Sequence, residues 1–135
     1  MGAYYFVIAT ALAVLPISFI FKITIERIKE NPDVLMKAQT NFFIWVALIE
    51  VIPIILVIFG FINMTPAESI NELLIPGLII IVLMGFGALF IFLQRTIDVT
   101  EETKDIINTF SMIGLAMINA IPLISIVSLI MMMPA

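Results

Sequence analysis

Along the chain, apolar residues gather into four long runs separated by short polar stretches. Residues 3–21, 73–93 and 110–133 contain no charged side chain, and residues 42–62 contain one, Glu50. Each run holds 19 to 24 residues, enough for a helix at ~1.5 Å per residue to cross a hydrocarbon core of roughly 30 Å. The runs are too long for strands and do not alternate, and only helices or closed barrels satisfy the backbone in lipid. The pattern predicts an all-α membrane protein with four transmembrane helices.

The polar stretches carry the turn signals. In the first connector, residues 22–41, Pro32 disfavours helix at Asn31, so the flanking helices should extend inward and break there. In the middle connector, residues 63–72, Thr65-Pro66-Ala67-Glu68 has the form of a capping box with proline at the first helical position. It predicts a short interfacial helix or the start of the third span. In the third connector, residues 94–109, Thr100 followed by Glu101 and Glu102 reads as an N-cap with acids in the first turn.

A repeat emerges at an offset of 69 residues. Thr40, Ile44, Ala47, Ile49, Ile52, Pro53 and Ile55 reappear as Thr109, Ile113, Ala116, Ile118, Ile121, Pro122 and Ile124. Isoleucine matches are cheap in an apolar span, so the weight rests on threonine, alanine and proline in register. The chain divides into two tandem helical hairpins of the same orientation, residues 1–66 and 67–135, a parallel duplication. Under the repeat, Glu50 aligns with Asn119.

Charge sets the expected orientation. All six cations lie in two connectors: Lys22, Arg27, Lys29 and Lys37 in the first, Arg95 and Lys104 in the third. The positive-inside rule places connectors 1 and 3 in the cytoplasm, and both termini and the middle connector outside. The first run lacks a basic flank and a small-residue cleavage site, so it is expected to be a retained span. The expected setting is a cell membrane, bacterial inner or plasma membrane, crossed several times. With a net charge of −4 and no basic face, nucleic acid is not an expected partner. Neither cysteine nor histidine occurs, which removes disulfides and the usual soft metal ligands.

Glu50 is the residue with candidate chemistry. An ionised carboxylate near mid-membrane costs several kcal/mol, so it must be neutral, paired or facing a polar cavity. No lysine or arginine lies at comparable depth in any of the four runs. A carboxyl that is neutral in lipid and ionises on meeting water or a cation is a reversible proton carrier. A glutamic acid bonded to a backbone carbonyl for packing is the plainer reading, although glutamine would serve that end without the ionisation cost. Pro53 supports the site, because it removes the hydrogen bond to the carbonyl of Ile49 and leaves an acceptor beside the acid. Asn119 either donates to Glu50 across an interface or holds helices together. Gly85 and Gly87 allow close backbone approach in the third span.

These residues resemble the c subunit, the rotor proteolipid, of F-type ATP synthases. Members of that family are helical hairpins with a polar loop reading Arg-Gln/Asn-Pro-Glu/Asp and a second helix reading Phe-Ile-x-x-Ala-Leu-x-Glu-x-x-Pro-Ile. Here the loop is Glu30-Asn31-Pro32-Asp33 and the helix runs Phe43-Ile44-Trp45-Val46-Ala47-Leu48-Ile49-Glu50-Val51-Ile52-Pro53-Ile54. The duplicated form, with one acid per four helices, is similar to the proteolipids of V-type ATPases, which usually carry the acid in the fourth helix.

The resemblance implies a non-catalytic, proton-translocating rotor subunit of a rotary ATP synthase or ATPase, with Glu50 as the proton-binding acid. It implies that Asn31, Pro32 and Asp33 face a central stalk. The implied partners are the lipid bilayer, copies of the chain in a ring, a stator a-type subunit and stalk subunits, with no cofactor beyond the transported H⁺. Sodium-binding relatives carry extra oxygen ligands, whereas Val51 follows Glu50 here and the first span offers only Thr10 and Ser18. A proton therefore suits the site better than Na⁺. The family's first helix carries repeated glycines for tight ring packing, and the first span here has none between residues 3 and 21. That departure keeps a second reading open, a c-like paralogue acting as a structural or accessory membrane subunit without proton transport.

Overall fold

The computed structural model describes residues 2–97 and 99–134. Met1, Asp98 and Ala135, which fall within the predicted hairpins, lie outside the described residues. The described residues form α1 (Ala3–Glu30), a 3-10 turn (Pro32–Val34), α2 (Leu35–Ile62), α3 (Asn71–Thr96) and α4 (Lys104–Met131), with no strand among them. All four α-helices are long and apolar enough to cross a membrane. At ~1.5 Å per residue, helices of 26 to 28 residues reach roughly 40 Å, so each runs past the apolar core into its connectors.

The break at Pro32 falls where the sequence places it. α1 ends at Glu30, Asn31 adopts an extended backbone (φ −146°, ψ 95°), and its side-chain oxygen accepts from the N–H of Asp33 at 3.1 Å. One extended residue and one 3-10 turn thus reverse the chain. In the third connector Thr100 caps a turn ahead of α4 rather than α4 itself, and Glu101 and Glu102 precede the helix's first turn, whose acid is Asp105. The Thr100 hydroxyl accepts from the Thr103 N–H at 3.3 Å while the Thr103 hydroxyl accepts from the Thr100 N–H at 3.1 Å. Thr103 takes the part that glutamate plays in a capping box, and α4 begins at Lys104.

The middle connector departs from expectation. No helix begins at Pro66; α3 starts at Asn71 and the Thr65 side chain caps nothing. The Ala67 N–H instead donates to the Met132 carbonyl at 2.9 Å, and the Glu68 N–H donates to the Glu72 carboxylate at 3.2 Å. The amide that a capping box would fold inward is drawn to the end of α4. A tertiary contact overrides the local signal.

α1 is the hub of the bundle. It packs against α2, α3 and α4; α3 packs against α4, and α2 meets α4 more sparsely. Within the apolar window of each helix, 50% of α1 is buried against 22% of α2, 22% of α3 and 39% of α4, so the two halves are not packed alike. Their elements nonetheless correspond. α2 runs from 35 to 62 and α4 from 104 to 131, an offset of 69 at both ends, which is the offset of the sequence repeat.

Aromatic rings fit against glycine along α1. Phe21 stacks on Phe110 (centroids 5.3 Å apart) and meets Phe42 edge-on at 6.1 Å, with Phe42 and Phe110 themselves 5.1 Å apart. A β-carbon on Gly114 would lie 2.5 Å from the Phe21 ring, and one on Gly60 would lie 2.7 Å from Phe6. These glycines let α4 and α2 close onto rings of α1. Gly87 does the same for α3, where an added β-carbon would sit 2.6 Å from Ile118 and 3.3 Å from Val14. Gly85 does not: nothing lies within 4 Å of its added β-carbon, and its expected packing role is not found.

Both charged connectors lie at one end of the bundle. The Lys29 ammonium, on the last turn of α1, donates to the carbonyls of Gln94 and Ile97 at the end of α3, where cations satisfy orphan acceptors and the helix dipole together. The opposite end joins Phe6 to Phe61 (5.7 Å) and Ala67 to Met132. Outward faces are apolar. Tyr4, Ile8, Leu12, Leu15, Phe19 and Ile23 of α1 are 40% to 62% exposed, a stripe at helical spacing that water would penalise and lipid accepts.

Candidate functional site

Glu50 lies within two residues of the midpoint of α2 (Leu35–Ile62). The face that α2 turns to α1 is the row Phe42, Val46, Pro53, Val57 and Gly60, all buried. Glu50 stands one helical turn past Val46, on the flank of that row, and is partly buried. The contacts Phe6–Phe61 and Phe21–Phe42 bracket it along the antiparallel α1–α2 pair. Among the described residues, its carboxylate makes no hydrogen bond and no ion pair; Lys22 and Glu26 pair at 3.9 Å, toward the end of α1 and far from it.

The flank can be identified. Gln39 of α2 borders a cavity with Ile106, Thr109 and Ile113 of α4. Glu50 comes three turns after Gln39 and so shares its side of the helix. It therefore lies on the side of α2 that turns toward α4, where those two helices pack least closely.

Asn119 does not join it. On α4, Met112 and Leu115 border one cavity with α3, and Ile126 and Ile130 border another. Asn119 is one turn after Leu115 and two turns before Ile126, in the same row, so it belongs to the α3 side of α4. Its side-chain amide donates back to the Leu115 carbonyl at 3.1 Å, and its Oδ1 is buried without a protein partner. The repeat places Glu50 and Asn119 at equivalent positions of equivalent helices, and for that reason they face different neighbours. Donation from Asn119 to Glu50 is not present.

Pro53 is buried in the α1-facing row. Lacking an N–H, it leaves the Ile49 carbonyl without its helical donor one residue before Glu50, and no side chain among the described residues donates to that carbonyl. Asn31, Pro32 and Asp33 form the tight turn at the charged end, far along the bundle from Glu50, with Asn31 and Asp33 exposed.

Sequence reasoning weighed Thr10 and Ser18 only as cation ligands. Thr10 donates to Ser125 at 3.0 Å, and Ser125 donates to the Phe6 carbonyl at 3.2 Å, all fully buried between α1 and α4. This interhelical link occupies Thr10 away from Glu50. Its signal was two hydroxyls within charge-free runs, which is also the signal of Ser18 and Ser111, both buried with no protein partner for the hydroxyl. Among the described residues no group of three or more acidic, histidine or cysteine side chains is placed to hold a metal ion. No protein-family model matches the chain, and neither curated proteins nor solved structures show a significant match.

Proposed function

We propose that this chain is a duplicated c-type proteolipid, a proton-carrying rotor subunit of a rotary ATPase, with Glu50 as the carrier. The observation that carries the reading is a carboxylate at the middle of an apolar helix, partly exposed on its flank and without a protein partner. A group so placed is stable in lipid when it holds a proton, and it ionises when a rotation brings it to water or to a cation. No cation of this chain reaches that depth, so the partner that triggers release belongs to another subunit, an arginine of the stator on the c-subunit resemblance. The free Ile49 carbonyl beside Pro53 is an acceptor for the carboxyl proton in the closed state. Since Asn119 cannot ionise, each chain carries one proton per four helices. That low ratio of protons per turn suits pumping driven by ATP hydrolysis.

The same reading assigns connectors 1 and 3 to the cytoplasm, because the six cations gather at that end. The exposed turn Asn31-Pro32-Asp33 then meets the central stalk. The test is Glu50→Gln in the complete complex reconstituted into vesicles, with ATP-driven acidification as the readout. Loss of proton movement with the oligomer intact is expected. Undiminished pumping by the variant, or a purified protein that forms no ring, overturns the proposal.

One observation favours the second reading. α1 has no glycine, and its Phe6 and Phe21 rings are seated on Gly60 and Gly114 of the same chain. A monomeric or dimeric accessory subunit needs no more than that. Imaging the detergent-solubilised oligomer separates the two.

A further inference from the structure

A second site lies between α3 and α4 at the charged end, remote from Glu50. Arg95, in the last turn of α3, borders two cavities at once. One is a slot of about 150 Å³ running between Ala88, Ile91 and Phe92 of α3 and Met112 and Leu115 of α4. The other, about 490 Å³, is polar and is formed with Lys104, Thr100, Asn108 and Glu101. The Arg95 guanidinium lies 5.2 Å from the Phe92 ring centroid, which holds it at the junction of slot and polar cavity. Neither Arg95 nor Lys104 forms an ion pair among the described residues. A third feature lies at the wall of the slot: Ser111, 2% exposed, is one of its lining residues, and its buried hydroxyl has no protein partner.

Two cations over a polar cavity, a hydroxyl beneath them and an apolar slot below form the profile of a phospholipid, read from phosphate to ester to acyl chain. We propose that this cleft is a binding site for an anionic phospholipid of the leaflet at the charged end. Arg95 and Lys104 hold the phosphate, the Ser111 hydroxyl donates to the first ester carbonyl, and the slot takes the start of one acyl chain. Glu101 at the rim selects against headgroups with a second negative charge and favours a single phosphodiester. Phe92 of α3 and Met112 and Leu115 of α4, which line the slot, are exposed on the outer surface, so the lipid enters sideways from the bilayer. Nothing in this inference depends on Glu50 or on ring formation. It depends on the helices being embedded in lipid.

Native mass spectrometry of the purified chain in detergent tests it, by titration with dioleoyl phosphatidylglycerol and with dioleoylglycerol, which has the same acyl chains and no phosphate. Roughly tenfold tighter binding of the anionic lipid is expected, the scale of two cations acting near one phosphate. Arg95→Gln with Lys104→Gln should abolish that preference while leaving the weaker dioleoylglycerol binding in place. Lys37→Gln, a charge removed from exposed α2 surface at the same end, should keep it. Filling the slot with Ala88→Leu should weaken both lipids and keep their ratio, which tests the site even if the double variant fails to fold. Equal affinity for the two lipids overturns the proposal, and so does a Lys37→Gln loss as large as that of the double variant. Complete competition by millimolar glycerol phosphate, which has no acyl chain, also overturns it.

Discussion

A lone carboxylate in the apolar middle of a helix weakens a fold, and among the described residues Glu50 has no partner that returns the cost. The expectation for stability is therefore the reverse of that for a packing residue. Glu50→Leu should leave thermal stability in detergent unchanged or raise it, by about 1–2 kcal/mol at most, because an unpaired polar group in apolar surroundings is removed. Loss of more than 1 kcal/mol in a melting experiment would show that the acid holds the bundle together. Glu50 was legible from sequence because it is the one acidic or basic residue in four long apolar runs. The relation of Asn119 to it was not. Nearly every position around α2 and α4 is apolar, so periodicity does not reveal which flank meets which neighbour, and the answer, that equivalent flanks face different helices, needed the helices in place. The Thr10–Ser125 link escaped for the same reason.

At the scale of the element, helix existence followed from run length alone, and the ends followed from local chemistry only where nothing competed with it. Asn31-Pro32 ended α1 as proline geometry requires. Thr100 opened the turn before α4, with Thr103 rather than an acid completing the cap. The start of α3 could not be read, because Ala67 bonds across to Met132 and the capping box lost its donor. The glycines make the sharpest test at this scale. Gly87→Ala places a β-carbon against the branched Ile118 side chain, with Val14 behind it, and neither can yield without moving a helix. A loss of about 1–3 kcal/mol is expected, measured by unfolding in detergent. Gly85→Ala, two residues away and facing open space, should stay within ±0.5 kcal/mol. Equal losses from both would mean that α3 is not seated on α1 and α4 at Gly87.

For the whole molecule, the two-hairpin reading accounts for the offset shared by α2 and α4 but not for the way the halves pack. α1 became the buried hub while α3, its counterpart, kept most of its surface facing outward. Duplication fixes what each segment can form, and neighbours decide which faces are covered. The collection of all cations at one end is a property of the whole fold and predicts topology directly. The chain contains no cysteine, so single cysteines can be placed at Asp33 and at Ser69 without background. In right-side-out vesicles a membrane-impermeant maleimide should label the Ser69 position from outside and the Asp33 position only after permeabilisation. The opposite pattern would reverse the proposed orientation.

The measurement closest to the central claim asks whether Glu50 behaves as an accessible, unpartnered carboxylic acid inside lipid. An apolar carbodiimide partitions into the bilayer and reacts with carboxyls that hold a proton. Treatment of the protein in vesicles, followed by intact-mass and peptide analysis, should give one adduct per chain, located on Glu50, diminishing as the pH is raised and absent from Glu50→Gln. An unmodified Glu50, or adducts confined to the connector acids in wild type and variant alike, would contradict the account.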